Sequence, residues 1–347
     1  MQKNMIGFTY HNDYNKYDLG VDHPLVGDKP RKTKEFLEKK GILDDVKLFT
    51  PEKATREDLL RVHSESYVAK VRELSKKGGM LAFDTPAPVG IYNYASRATG
   101  GTILGGKKLF EEFSCMINPL AGFHHASKNF SSGFCFFNDI AIVIEYLREK
   151  YRLQRFLIID LDVHHANGTQ EVYYDDPTVL NISFHQDGRT LYPGTGAIDK
   201  IGKGRGEGYT VNLPLPPETG SNSYINAFNE IIPSLANQFN PEIIIYQSGV
   251  DTHHSDPLAD LNLTYQTYHY LAKEIKNLSN ATCKKLLVLM GGGYNSSSSV
   301  MSYYNIMCGL LDMADYIKEK EILDCRIDEV ESLIFELKKL LGTHWKL

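Results

Sequence analysis

The sequence predicts an α/β fold with a central, mostly parallel sheet and helices on both faces. Three observations support this fold class. Short apolar runs that suit buried strands alternate with longer stretches that suit helices, and this alternation is typical of parallel sheets. Four of the apolar runs are followed directly by polar clusters. The chain of 347 residues, 42% of them hydrophobic, has enough apolar material for the core of one large domain.

The predicted elements follow one another in a regular order. Strands are predicted from apolar runs over residues 5–10, 115–120, 156–159, 179–184, 209–215, 243–246 and 286–290. Helices are predicted from longer stretches over residues 31–40, 56–75, 95–113, 141–150, 224–237 and 265–277. The charged amphipathic stretch 315–341 predicts a C-terminal helical tail packed on the body. Because no repeat or long linker interrupts the pattern, we expect residues 1–347 to form a single domain.

Charge and cysteine usage narrow the classes of function. A net charge of −5 and a pI of about 6.2 provide no basic field that would attract nucleic acid or anionic lipid. No apolar run approaches the roughly 20 residues that span a bilayer, and the start of the sequence lacks the apolar region of a signal peptide. The five cysteines are scattered, without a CxxC pair, as in reduced proteins. We therefore expect a cytoplasmic enzyme with no nucleic-acid or membrane partner.

Two of the polar clusters have the pattern of a metal site. On an extended segment, alternate residues point to the same side, so Asp162 and His164 can share a ligand. Asp251, after another strand, can supply a third ligand because the strand ends of an open parallel sheet meet at one edge. Two carboxylates and one imidazole leave open positions for water and substrate, as a catalytic zinc site requires. The pattern predicts a metal-dependent hydrolase.

The other two polar clusters supply acid–base groups. His124 and His125 follow the strand predicted at 115–120, and Tyr294 follows three glycines after the strand at 286–290. The adjacent imidazoles can provide the general base and the acid that such a hydrolysis needs. The hydroxyl of Tyr294 suits an oxyanion donor, and the glycines let the backbone lie close to a substrate.

These segments resemble the histone deacetylase superfamily, which includes acetoin-utilisation and acetylpolyamine amidohydrolase relatives. The resemblance extends from about residue 23 to residue 311. Its anchors are GFHHA at 122–126, GFCFFND at 133–139, DLDVHHANGT at 160–169, YPGTG at 192–196 and GGGYN at 291–295. The resemblance implies the arginase-like α/β fold, a zinc ion and hydrolysis of an acyl amide on an amine. The zinc ligands that it implies are Asp162, His164 and Asp251.

The resemblance also implies roles for the catalytic groups. His125 would be the general base, and His124 its electrostatic or acid partner, oriented by Asp160. Tyr294 would donate to the oxyanion. Asn167 stands where some members carry an aspartate, and an amide supplies no charge, so His125 should be less basic than with a carboxylate partner.

A substrate tunnel is implied as well. Asp84 would hold the substrate backbone at the rim, and Arg31 would match the arginine of a product-exit cavity. The residues lining the tunnel would be Gly133, Phe134, Tyr192, Leu258 and Gly292. Because polyamine-selective relatives can carry a glutamate at the position of Leu258, the resemblance favours a lysine-like substrate.

Two potassium sites follow from the resemblance alone. The inner site would use Asp160, Ser183 and the backbone carbonyls of Asp162, His164 and Phe184. The outer site would use the backbone carbonyls of Tyr173, Asp176, Val179 and Tyr209.

Three functions remain open. The first is removal of an acetyl or other acyl group from lysine in proteins or peptides, and the second is deacetylation of acetylpolyamines or other small acylated amines. The third is a catalytically silent scaffold, which would need a broken ligand set or the loss of Tyr294. The pair His253-His254 belongs either to a solvated polar loop or to a substrate contact at the rim. The sequence does not indicate the oligomeric state.

Overall fold

The computed structural model describes residues 5–25 and 27–347. Residues 1–4, on which the expectation of no signal peptide partly rests, and Val26 lie outside the described residues. The chain forms two compact units that alternate along the sequence. The first unit comprises Met1–Leu153, Asn167–Val172 and Leu287–Gly291, and the second comprises Gln154–Ala166, Tyr173–Leu286 and Gly292–Leu347. A single domain over residues 1–347 stays a prediction.

The predicted α/β fold is confirmed, with eight strands in a parallel sheet. The strands of the first unit are β1 (Ile6–Thr9), β2 (Val46–Phe49), β5 (Cys115–Asn118) and β10 (Leu286–Leu289), in the order β2-β1-β5-β10. Those of the second unit are β6 (Phe156–Asp160), β7 (Val179–Gln186), β8 (Thr210–Leu215) and β9 (Ile243–Gln247), in the order β9-β6-β7-β8. A small antiparallel hairpin joins β3 (Met80–Ala82) and β4 (Thr85–Pro86).

The strands β6 and β9 of the second unit are apolar except for their last residues because both of their faces are covered. Every residue of β6 and of β9 is buried, as expected for parallel strands with helices on both sides. The register pairs Asp160 with Ser183 on one neighbouring strand and with Gln247 on the other. Polar side chains at the ends of three adjacent strands therefore lie at one edge of this part of the sheet.

Ten α-helices lie in the described part of the chain. They are α1 (Lys29–Lys39), α2 (Arg56–Leu60), α3 (Glu65–Lys77), α4 (Ile91–Leu109), α5 (Asp139–Tyr151), α6 (Asn167–Tyr173), α7 (Ser221–Phe239), α8 (Tyr265–Ala281), α9 (Ser296–Leu311) and α10 (Ile327–Leu341). None of these helices is long and apolar enough to cross a membrane.

The prediction of one continuous helix over 56–75 is wrong. The structure has two helices there, α2 and α3, separated by residues 61–64. Ser64 caps α3 by accepting a hydrogen bond from the Tyr67 N–H. The preceding His63 is buried, with its ring nitrogens on the Ser127 carbonyl and the Asn138 N–H. These side-chain contacts replace the continuous helix.

The helical tail predicted over 315–341 is wrong in its first half. Only α10 is helical, and residues 312–326 run without regular structure. Asn305 bonds both the N–H and the carbonyl of Ile317, and the Tyr304 hydroxyl donates to the Asp315 carbonyl. Side chains thus satisfy backbone groups that a helix would pair internally. The helix α10 packs on α7 and β8.

Candidate active site

The three predicted metal ligands lie together in the second unit. Asp162 and His164 follow β6, and Asp251 follows β9. The Nδ1 atom of His164 lies 3.0 Å from Asp162 Oδ1 and 3.3 Å from Asp251 Oδ2. The side chains of Asp162 and Asp251 are 3% and 0% exposed. Two buried carboxylates therefore share a single imidazole.

The charges of this cluster are unbalanced unless a cation is added. Burial lowers the pKa of His164, but hydrogen bonds and charge from Asp162 and Asp251 outweigh it and raise that pKa to about 10. Burial and the charge of Asp162 raise the pKa of Asp251. Apart from the His164 ring nitrogen 3.3 Å away, no described residue offers a hydrogen-bond donor to the buried Oδ2 of Asp251. The donor set and this carboxylate oxygen fit a divalent cation such as zinc.

Backbone and amide donors fix the two carboxylates. The Val163 N–H donates to Asp251 Oδ1 at 3.0 Å, and the His164 N–H donates to Asp162 Oδ1 at 3.0 Å. Gln247, at the end of β9, donates from Nε2 to Asp162 Oδ2 at 3.2 Å. Gln247 is not among the predicted site residues, although it ends an otherwise apolar strand beside Asp160.

Position 292, beside this cluster, requires glycine for two reasons, the lack of space for a side chain and the backbone conformation. A Cβ atom there would stand 2.3 Å from Asp162 Oδ2 and 2.8 Å from Asp251 Oδ2, and φ is +73°. Only glycine fits both conditions. The glycine run before Tyr294 therefore brings the backbone directly against the two carboxylates.

Two tyrosines lie near the same imidazole. The rings of Tyr192 and Tyr294 are centred 6.2 and 6.3 Å from the His164 ring. The Tyr294 N–H donates to Asp256 Oδ2 at 2.7 Å, and the Leu258 N–H donates to Asp256 Oδ1 at 3.0 Å. Burial and the nearby charge of Asp251 raise the pKa of Asp256 to about 6. Asp256, for which the sequence predicts no role, positions the backbone of Tyr294.

The predicted acid–base pair lies in the first unit. His124 and His125 are both buried, and their Nε2 atoms are 3.1 Å apart. Nδ1 of His125 lies 2.7 Å from the amide oxygen of Asn167. Because that oxygen can only accept, Nδ1 carries a hydrogen and Nε2 is the basic atom of the neutral ring. The two Nε2 atoms can share one proton.

A buried carboxylate shapes the backbone before the histidine pair. Asp139, the first residue of α5, accepts hydrogen bonds from Gly122 N at 3.1 Å and Phe123 N at 2.8 Å. Thr102 donates to it at 2.6 Å. Burial raises the pKa of Asp139, while these donors oppose the rise. Asp139 ends the motif GFCFFND at 133–139, but the sequence predicts no role for it.

The rim residues of the first unit bond to each other. Asp84 Oδ2 accepts the Gly133 N–H at 2.8 Å, and its Oδ1 accepts the Thr85 hydroxyl at 2.8 Å. Thr85 Oγ1 accepts the Phe134 N–H at 3.1 Å. A Cβ at Gly133 would stand 2.1 Å from Cδ2 of His125. Asp84 thus fixes the turn that packs on His125, and a role in holding substrate stays a prediction.

The residues of the predicted potassium sites lie in the second unit. The Ser183 hydroxyl is 2.9 Å from Nδ1 of His185. In the outer set, the carbonyls of Tyr173, Asp176 and Tyr209 accept N–H donors at 3.1, 3.3 and 2.9 Å. Each carbonyl has a second lone pair. Both potassium sites stay predictions.

His253 and Arg31 lie in surroundings that differ from those expected from the sequence. His253 is 2% exposed, so a solvated loop is wrong for this residue, and its ring faces Glu319 instead of solvent. Arg31 is half-exposed and pairs with Glu35 and Asp28 on the surface. Its guanidinium belongs to a surface ion-pair group, and the match to a product-exit arginine stays a prediction.

Comparison with known proteins identifies the family. Residues 23–310 match the histone deacetylase domain. The chain is 34% identical to a probable deacetylase of Archaeoglobus fulgidus over 98% of each chain. It is 34% identical to the acetoin utilization protein AcuC of Bacillus subtilis, over 83% of this chain and 77% of that protein. It is 37% identical to the chloroplastic histone deacetylase 14 of Arabidopsis thaliana, over 74% of this chain and 64% of that protein.

The chain therefore belongs to the histone deacetylase family. The predicted superfamily and its arginase/deacetylase-like fold are confirmed. The family and these relatives also support the general assignment of the chain as a deacetylase-type hydrolase.

Proposed function

We propose that this protein is a zinc-dependent amidohydrolase that removes an acyl group, most simply acetyl, from the side-chain amine of lysine in proteins or peptides. The observation that supports it most is the buried group of Asp162, His164 and Asp251. It contains two carboxylates that share one imidazole, and the buried Oδ2 of Asp251 has no other donor among the described residues. Without a cation, such a group would be strongly unfavourable in a protein interior.

The chain's own residues supply the proton transfers of the proposed reaction. A zinc ion held by Asp162, His164 and Asp251 would polarise the acyl carbonyl and lower the pKa of water. Nε2 of His125 takes the proton from the attacking water, while the amide of Asn167 holds its Nδ1–H. His124 then delivers a proton to the leaving amine, which departs in its protonated form. The ring nitrogens that lie 3.1 Å apart provide the route between the two imidazoles.

The charge that develops on the acyl oxygen needs a donor. We assign that donor to the Tyr294 hydroxyl, whose ring lies near the His164 ring. The main chain of Tyr294 is held by Asp256, so the hydroxyl is presented with little reorganisation. Donors arranged in advance stabilise the transition state more than the ground state.

The proposal includes the remaining expected properties of the enzyme. Asp160, Ser183 and the carbonyl groups named above would hold structural potassium. Tyr192, Phe134, Gly133 and Leu258 would line the path of the acylated chain. A cytoplasmic location is also proposed, since all five cysteines are free.

A substrate panel with metal depletion tests the proposal. Acetyl-lysine peptides, longer acyl-lysine peptides and acetylpolyamines are compared by kcat/KM, because Leu258 offers no carboxylate for a distal ammonium group. We expect acetyl-lysine peptides to be preferred, activity to vanish after chelation, and added Zn²⁺ to restore it. A preference for acetylpolyamines would replace the lysine substrate by the small-molecule alternative. Full activity in metal-free protein would refute the zinc mechanism.

A matched variant separates metal loss from protein damage. Asp162→Asn keeps the size of the side chain but removes one charge from the cluster. We expect zinc content and activity to fall together in this variant, while far-UV circular dichroism stays unchanged. Zinc content at the wild-type level would count against Asp162 as a ligand.

A further inference from the structure

A second group of potential metal ligands lies in the second unit. Each of His253, His254 and Glu319 offers one ligand atom, and these atoms lie within 4.8 Å of one another. Nε2 of His253 is 2.9 Å from Oε1 of Glu319, and Nε2 of His254 is 3.1 Å from Oε2. The two rings are centred 4.4 Å apart at an angle of 32°. Two imidazoles therefore converge on one carboxylate.

The separations are close to those of a metal site. Zinc binds imidazole nitrogen and carboxylate oxygen at about 2.0–2.1 Å in tetrahedral geometry, which puts neighbouring ligand atoms about 3.3 Å apart. The observed distances of 2.9 and 3.1 Å run to the two different oxygens of the Glu319 carboxylate, and one ligand atom from each residue lies within 4.8 Å of the others, so small adjustments of the three side chains can bring them around one ion. His253 is buried and His254 is exposed, which leaves a solvent side where water can complete the coordination.

Neighbouring groups can hold the ligands in the form that binds a metal. In the metal-free form, Nδ1 of His253 accepts the Ser255 N–H at 3.2 Å, and its Nε2–H donates to Glu319. When a metal binds Nε2, the ring hydrogen moves to Nδ1, and Nδ1 gives up its contact with the Ser255 N–H. The Ser255 hydroxyl, 2.9 Å away, can accept it there. Such a partner on the second ring nitrogen is usual for metal-bound histidine.

Glu319 is fixed although its segment has no regular structure. Gln266 donates to the Glu319 carbonyl at 2.9 Å and accepts the Glu319 N–H at 3.2 Å. The Tyr265 N–H donates to its carboxylate at 2.8 Å. The carboxylate is therefore directed at the two histidines before any ion arrives, which lowers the entropy lost on binding.

We propose that His253, His254 and Glu319 bind a second divalent metal ion of the zinc class. Two imidazoles and one carboxylate with an open position form a donor set that zinc accepts in proteins. The ion would join the loop that contains His253 to the segment of residues 312–326. It would therefore fasten together two parts of the second unit that the sequence separates by 66 positions between His253 and Glu319.

Zinc stoichiometry of the full chain tests this proposal. The protein is stripped with a chelator, dialysed and titrated calorimetrically with Zn²⁺. We compare wild type with Glu319→Gln and His254→Gln, which change charge or ligand type with little change of volume. The matched control is His344→Gln, because His344 is exposed and its Nε2 faces a single carboxylate, Glu207, at 3.9 Å.

We expect two zinc equivalents in wild type and control, and one in each cluster variant, or a second equivalent bound at least tenfold more weakly. The remaining equivalent shows that each variant is folded. His164→Asn identifies which equivalent belongs to the proposed catalytic cluster, so failure of that cluster is recognised separately. Zinc binding that Glu319→Gln and His254→Gln leave unchanged would overturn the proposal.

Discussion

The chain contains two pairs of adjacent histidines that look alike in sequence and differ in their surroundings. In the pair His124-His125 the rings are centred 4.1 Å apart, both are buried, and the partner of His125 is the amide of Asn167. In the pair His253-His254 the rings are centred 4.4 Å apart, one is buried and one exposed, and both face the carboxylate of Glu319.

This difference indicates that the side chain hydrogen-bonded to an imidazole pair determines which chemistry the pair can perform. An amide brings no charge that would hold a proton on the adjacent ring, which suits a group that must take up and release protons. A carboxylate brings a negative charge, which favours a cation at the same place. The first pair is therefore suited to acid–base catalysis, and the second to binding a metal ion.

Removing the first pair's base should have the largest effect on turnover. We expect His125→Ala to lower kcat by about 10²–10⁴, because general base catalysis typically contributes that factor. His269→Gln, a histidine whose ring stacks on Tyr316, is the control and should keep wild-type kcat. Steady-state kinetics with thermal unfolding of each variant measures this. A His125→Ala enzyme with wild-type turnover would remove the catalytic distinction between the two pairs.

The loop that contains His253 and His254 also contacts Tyr294, the proposed oxyanion donor. His253 is followed within three residues by Asp256, which accepts the Tyr294 N–H. We expect Tyr294→Phe to lower kcat by about 10²–10³ with little change in KM, because its hydroxyl meets charge that forms in the transition state. A variant that loses affinity but retains turnover would assign Tyr294 to substrate binding instead.

Asp256 allows a smaller test of the same loop. We expect Asp256→Asn to lower kcat about tenfold, since the amide keeps one oxygen for the two part-buried N–H groups of Tyr294 and Leu258, and an unmade hydrogen bond of this kind costs about 1–3 kcal/mol. If Asp256 acts through Tyr294, adding Tyr294→Phe to the variant should produce less than the sum of the two effects. Additive free-energy changes in the double-mutant cycle would show that Asp256 acts independently of Tyr294.

The two clusters also show what the sequence can and cannot predict. Asp162 and His164 alternate on one segment, and Asp251 follows a predicted strand, so periodicity and strand ends were enough to predict their meeting. Glu319 lies 65 positions after His254, in a charged amphipathic stretch that predicts a helix. Side chains of Asn305 and Gln266 hold that stretch out of the helical state, and no local pattern reveals them.

The same reason explains the other differences in the fold. The strands were predictable because β6 and β9 are buried on both faces and read as unbroken apolar runs. The break between α2 and α3 depends on the cap that Ser64 provides and on the buried contacts of His63. Helix ends that depend on one cap or on a distant hydrogen bond are the least predictable feature of such a chain.

The smallest expected effect is a shift in the pH profile of kcat/KM, and it tests the comparison between the two histidine pairs most directly. Asn167→Asp places a carboxylate beside His125, which makes the first pair resemble the second. The negative charge favours the imidazolium and raises the pKa of His125. Because the base must be deprotonated, a higher pKa leaves more of it protonated at a given pH. The acidic limb of kcat/KM should therefore move to higher pH. An acidic limb that stays in place, or moves to lower pH, would show that His125 is not the base or that its contact with residue 167 does not set its basicity.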